Sequence, residues 1–157
     1  MTTTTLSEPR LRVYREQPQV ARAMSAADKA VAESGLDPSL LYLILLRASQ
    51  INGCAYCVDM HSKDLRHAGE SEQRVYGVAA WREAPFYSER ERAALALAEA
   101  VTLLPNGIPE EAYGDAARHF EPKELSAIVW ALAVINAWNR VAVTSRDPVP
   151  GTYEPGG

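Results

Sequence analysis

Apolar residues recur along this chain at intervals of three and four, and no stretch shows the sustained alternation of a half-buried strand. Helix punctuation divides the pattern into seven segments. An amphipathic run, Pro18 to Ser34, opens on a proline suited to a first helical turn and stops at Gly35. Asp37 and Pro38 then supply an N-cap and a first-turn proline for a helix reaching about Asn52. Leu40, Leu41, Leu43, Ile44, Leu45 and Leu46 make that helix apolar nearly all round, which predicts a central, buried element.

Gly53 reads as a helix stop, with the next helix running from about Cys54 to Ala68 and ending at Gly69. Ser71 and Glu72 open another that reaches Trp81, and Ser88 and Glu91 have capping-box spacing ahead of an Ala- and Leu-rich segment ending near Leu104. Pro109 and Pro122 each stand where a first-turn proline would, one opening a short helix to about Phe120 and the other a long one to about Val143. The expectation is an all-α bundle of six to seven helices in one domain, residues 1–145. Residues 146–157, with three prolines and three glycines, read as a mobile or surface-draped tail.

Composition narrows the function classes. The chain has 157 residues, enough for one domain with a real core, and a net charge of −4. With a pI near 5.4 and arginines scattered among acids, it has no basic stripe for nucleic acid. The longest strictly apolar run, Ala127 to Ile135, is far shorter than the roughly 20 residues that cross a bilayer. Met1 to Ser7 is threonine-rich and lacks the charged and apolar regions of a secretory leader. No membrane association is expected, and the reading is cytoplasmic.

The candidate chemistry is concentrated in Cys54-Ala55-Tyr56-Cys57 and His61. Positions three, four and seven apart share one face of a helix, so the two sulfurs and the imidazole form a cluster. In a reducing compartment a two-cysteine protein is poorly served by a permanent structural disulfide, which points to a catalytic, redox-sensing or metal-binding pair. A thiol of pKa about 8.5 is only about 3% thiolate at pH 7, and a helix N-terminus or a nearby cationic histidine lowers that pKa.

Zinc needs four ligands, and only Cys54, Cys57 and His61, with Asp64 in reach, are available locally, so no metal is assigned. Covalent haem attachment is excluded because Val58, not histidine, follows Cys57. A thioredoxin-like site would sit in a βαβ context, and two buried cysteines of purely structural role remain the plain alternative. No cofactor is implied. Elsewhere, His67 and His119 read as solvated side chains, Trp130 and Trp138 as core or interface packing, and Asn136 and Asn139 as groups facing a polar cavity or a subunit boundary.

Several separate motifs occur in order: Arg47-Ala-Ser-Gln-Ile-Asn-Gly-Cys54 through Cys57-Val-Asp-Met-His61-Ser-Lys-Asp64, Gly69-Glu70, Trp81 to Tyr87, Glu89 to Ala93 and Ile135 to Arg140. Together they resemble the alkylhydroperoxidase D-like (AhpD-like) core of the carboxymuconolactone decarboxylase family, over about Leu36 to Val143. The resemblance implies an all-helical, trimeric or hexameric protein with peroxide-reducing CxxC chemistry. In that scheme Cys57 is the peroxidatic thiolate, Cys54 the resolving thiol and His61 the proton relay, with a small hydroperoxide as substrate. Dihydrolipoamide or another dithiol, or a thioredoxin-like protein, resets the pair.

The chain departs from the family at two places: Tyr42 stands where the relay has a carboxylate, and Tyr56 where it has a histidine between the cysteines. A neutral tyrosine cannot stabilise an imidazolium as a carboxylate does, and Asp64, one turn beyond His61, is the candidate substitute. Tyr42, Asp64, Tyr56, Asn136 and Trp138 are therefore carried as supporting residues. Two other functions remain open: a redox sensor or disulfide adaptor without turnover, and a lyase of the kind the family name implies.

Overall fold

The computed structural model describes residues 8–156; Met1 to Ser7, on which the leader reading rests, and Gly157 lie outside them. Eight helices and two single 3₁₀ turns make up the described residues, and none of these residues is in a strand. They are α1 (Val13–Glu16), α2 (Pro18–Ala32), α3 (Pro38–Ile51), α4 (Ala55–His67), α5 (Glu72–Gly77), α6 (Glu89–Thr102), α7 (Glu110–His119) and α8 (Pro122–Ser145). Seven correspond to the segments read from the sequence, except that α5 ends at Gly77 and continues only as a 3₁₀ turn, Val78–Ala80, where the sequence predicts a helix to Trp81. The four-residue α1 was not foreseen, because it is too short to show a period.

The punctuation acts as its chemistry requires. Asp37 accepts a hydrogen bond from the Leu40 N–H at 2.9 Å, and Ser71 accepts from Arg74 N–H. Ser88 and Glu91 form a reciprocal capping box, and so do Glu121 and Glu124 at the start of α8.

Helix α3 is the hub. Leu40, Leu41, Ile44, Leu45 and Ala48 pack into a cluster with α6, α7 and α8, while Leu43 and Leu46 face a second cluster built on Leu65, Val75, Val78, Trp81 and Leu95. A helix apolar on both sides is stable only with partners on both, and burying each such side chain contributes about 1.5–3 kcal/mol. Helix α4 packs against α3 and so inherits a fixed position on the core.

Helix α8 has the length and apolarity of a bilayer-crossing helix, with a mean hydropathy of 1.4 over its best window. Its inward residues Leu125, Ile128, Leu132 and Ile135 are nevertheless part of the main core cluster. The C-terminal segment turns back from α8 along α4, where Lys63 Nζ donates to the Tyr153 carbonyl at 2.8 Å.

Candidate active site

The site is made by the way α3 hands over to α4. Asn52 ends α3 in helical conformation, Gly53 takes φ 65°, and Cys54 is extended as the N-cap of α4. The left-handed conformation at position 53 is one a side chain would resist, so glycine fixes this sharp reversal. The Cys54 N–H donates to the Ser49 carbonyl at 3.1 Å, closing the turn.

Three asparagines brace the turn from behind. Asn52 Nδ2 donates to Asn136 Oδ1 at 2.9 Å and to Asn139 Oδ1 at 2.8 Å. Asn136 Nδ2 in turn donates to Thr102 Oγ1 and the Leu132 carbonyl, and Asn139 Nδ2 to Ser49 Oγ. The polar interruption in α8 is thus satisfied within the chain and serves the hinge. Asn136 does not line the cavities at the sulfurs.

Cys54 and Cys57 are joined in a disulfide, S–S 2.06 Å. Cys54 Sγ also accepts from the Cys57 N–H at 3.3 Å, so the N-cap function is performed by sulfur. Both cysteines are almost fully buried, at 1% and 2% exposure, yet each borders a different cavity. The first turn of α4 directs unpaired N–H groups and the positive end of the helix field at the pair, which favours thiolate once the bond is reduced.

His61 lies one turn beyond Cys57 on the same face and is 5% exposed. Neither ring nitrogen has a hydrogen-bond partner. Asp64 Oδ2 is 3.4 Å from Nδ1, within charge-pairing range but not aligned as a hydrogen bond. The other oxygen of Asp64 is held by the Tyr153 hydroxyl, which donates to Oδ1 at 2.5 Å. Tyr42 meets His61 by ring stacking, centroids 6.4 Å apart and planes inclined by 24°, and not by a hydrogen bond. Burial first, then the charges of Asp64 and Asp28, push the Tyr42 phenol above its ordinary value, so it stays neutral.

The cavity at Cys57, about 190 Å³, is walled by Tyr14, Tyr56, Met60, Ile135, Trp138 and Pro148, with Asp28 also in its lining. Tyr14 stacks on Trp138 at 6.0 Å, and its phenol is pushed up to about 12 by burial and by nearby Asp147. Trp138 Nε1 is buried without a partner. Tyr56 packs edge-on against Tyr153 at 6.4 Å and lines both cavities.

Sequence reasoning missed two residues. Asp28, from α2, keeps an open side to solvent, yet the protein around its carboxyl raises its pKa, His61 opposes the rise and Asp64 adds to it. Its signal was available: it is the sole acid in α2. Tyr153 gave no local signal, since it lies in the tail, 89 positions from Asp64. His67 and His119 lie outside these cavities; His119 stands 3.8 Å from Asp115.

A helical bundle with a cysteine pair at the start of a buried-face helix and a histidine one turn on defines an all-helical protein of the AhpD-like fold. A solved Agrobacterium tumefaciens structure, described as a protein of unknown function and a candidate antioxidant-defence protein AhpD, matches with TM-score 0.88 and 42% identity, covering 91% of this chain and 99% of that one. The AhpD core of an uncharacterized peroxidase-related protein from Ralstonia eutropha matches with TM-score 0.76 and 25% identity, over 85% and 72%. The uncharacterized Bacillus subtilis protein YdfG is 38% identical over 135 residues, 85% of this chain and 92% of the relative. The model of the carboxymuconolactone decarboxylase family matches residues 18–100, and the chain belongs to that family.

Proposed function

We propose that the protein is a cytoplasmic thiol-dependent peroxidase in which Cys57 is the nucleophile, Cys54 the resolving thiol and His61 the proton relay. The observation that carries this reading is the Cys54–Cys57 disulfide beside a buried His61 whose ring nitrogens are both unpartnered. A disulfide between residues three positions apart at a helix start is a reversible store of two electrons.

In the reduced state the Cys57 thiolate attacks the distal oxygen of a hydroperoxide. The O–O bond breaks, the alcohol leaves with a proton relayed by His61, and Cys57 becomes a sulfenic acid. The Cys54 thiol then attacks that sulfur as its thiolate, the sulfenic hydroxyl leaves with the proton given up by Cys54 as water, and the disulfide described above results. An external dithiol returns two electrons and two protons. Asp64, 3.4 Å from His61 Nδ1, supplies the negative charge beside the imidazole that Tyr42 does not, which supports turnover despite the lost carboxylate position.

Assembly belongs to the same reading. We infer a homotrimer or homohexamer whose contacts use the outward face of α8, where Trp130 is 65% exposed and, with Val134, Ala27, Ala30 and Val31, forms an apolar groove of about 420 Å³.

The test is hydroperoxide-dependent oxidation of dihydrolipoamide by the wild type and by Cys57→Ser. Catalytic turnover in the wild type that vanishes in the variant is expected. Loss of two thiols per chain without turnover supports the sensor reading instead, and activity that survives the substitution points to lyase-type chemistry.

A further inference from the structure

Two separate cavities border the disulfide, one lined by Cys54 and the other by Cys57. Cys57 borders the smaller, whose lining includes Asp28 and no basic residue. Cys54 borders the larger, about 420 Å³, whose lining includes Arg10 and Arg146 and no acidic residue. Tyr56, Ala142 and Pro148 line both and form the partition. The remaining wall of the larger cavity is apolar, from Ala55, Val143 and Pro150.

We propose that the Cys54 cavity is the reductant site and takes a small dithiol bearing a carboxylate, which Arg10 and Arg146 hold while its sulfur meets Cys54. The inference rests on the redox reading of the cysteine pair and names the class of its reductant. Peroxide and reductant then reach different sulfurs through cavities of opposite charge.

The chemistry favours attack at this sulfur. An incoming thiolate forms a bond to Cys54 Sγ as the Cys54–Cys57 bond breaks, and the electron pair leaves on Cys57. Cys57 sits in the first turn of α4, where the helix field stabilises a thiolate, so it is the better leaving group. The second thiolate of the dithiol attacks its own sulfur in the mixed disulfide, closes a cyclic disulfide and releases Cys54. The dithiol is oxidised by two electrons, and its two protons end on the two cysteines.

Both guanidiniums have donors to spare. Arg10 Nη1 makes one long contact, 3.4 Å, to the Thr144 carbonyl, and the Arg146 guanidinium makes no hydrogen bond among the described residues. Arg146 is the left-handed C-cap of α8, and the Arg10 N–H donates to the Ser145 carbonyl at 2.7 Å, so both are anchored by backbone at the cavity. A purely structural role at a helix C-terminus would complement the α8 dipole but would not select among reductants.

The test compares dihydrolipoate with dihydrolipoamide, which carry the same dithiol and differ in charge at the far end. Each is mixed with the oxidised protein in the absence of peroxide, and protein thiols are followed in time. The carboxylate form should reduce the disulfide about fivefold faster at low salt. That ratio should fall towards one at about 0.5 M salt, where the charges are screened, and in Arg10→Gln/Arg146→Gln. Equal rates in the wild type, or a ratio that survives both the salt and the substitutions, overturn the proposal while leaving the redox reading intact. Reduction by neither compound overturns both.

Discussion

At the residue scale, the cysteine pair and His61 were legible because helical spacing alone places them together, whereas what surrounds His61 was only half legible. Asp64 could be named from its position one turn on, and it does stand 3.4 Å from Nδ1. Its second partner, Tyr153, comes from a tail whose prolines and glycines carry no period to read. Tyr42, on α3, meets the imidazole from α4 by ring stacking and not by a hydrogen bond, a geometry that residue spacing does not specify. If Asp64 steadies the charged form of His61, Asp64→Asn should lower kcat for peroxide reduction about tenfold, equivalent to about 1.4 kcal/mol, with KM little changed. Tyr153→Phe, which removes only the hydroxyl that holds Asp64, should lower kcat in the same direction by a smaller factor. Steady-state kinetics over a range of pH checks both, and an unchanged kcat in Asp64→Asn would exclude the carboxylate from the relay.

At the element scale, the helices were readable because each carries its own start and stop: Asp37 and Pro38 before α3, the Ser88 and Glu91 box before α6, Pro122 before α8. What sequence could not give was the partner of each polar side chain. Glu99, in the last turn of α6, accepts from Arg47 Nε at 2.8 Å and Trp81 Nε1 at 2.9 Å, and also from Arg82, so one carboxylate ties α3 and the α5 region to α6. Burial pushes its pKa up, but the hydrogen bonds from Arg82, Trp81 and Arg47 outweigh it and hold the carboxyl below its ordinary range. A depressed carboxylate contributes stability above its unfolded pKa of about 4.3 and loses it as pH falls through the folded value. Glu99→Gln should therefore cost about 2 kcal/mol at pH 7, and progressively less as the medium is acidified below pH 4. Denaturant unfolding at both pH values measures this, and a cost independent of pH would show that packing and not charge is at stake.

At the scale of the whole molecule, the motifs legible in the sequence span about Leu36 to Val143, leaving α1, α2 and the tail without one, although the family model matches residues 18–100 and so takes in α2. Tyr14 from α1, Asp28 from α2 and Tyr153 from the tail join the surroundings of the site, so the part of the chain least readable by motif is the part that shapes the cavities. The exposed face of α8 belongs to the same scale: sedimentation should give a species of three or six 17.2 kDa chains, and Trp130→Glu should lower its mass. A monomer at micromolar concentration would contradict that assembly. The central claim is that Cys57 is the sulfur that meets peroxide. It is tested most directly by treating reduced Cys54→Ser and Cys57→Ser proteins with one equivalent of hydroperoxide and a sulfenic-acid trap, then locating the adduct by peptide mass spectrometry. The account predicts an adduct on Cys57 in the first protein and none in the second; an adduct on Cys54 in the second, or none in either, would contradict it.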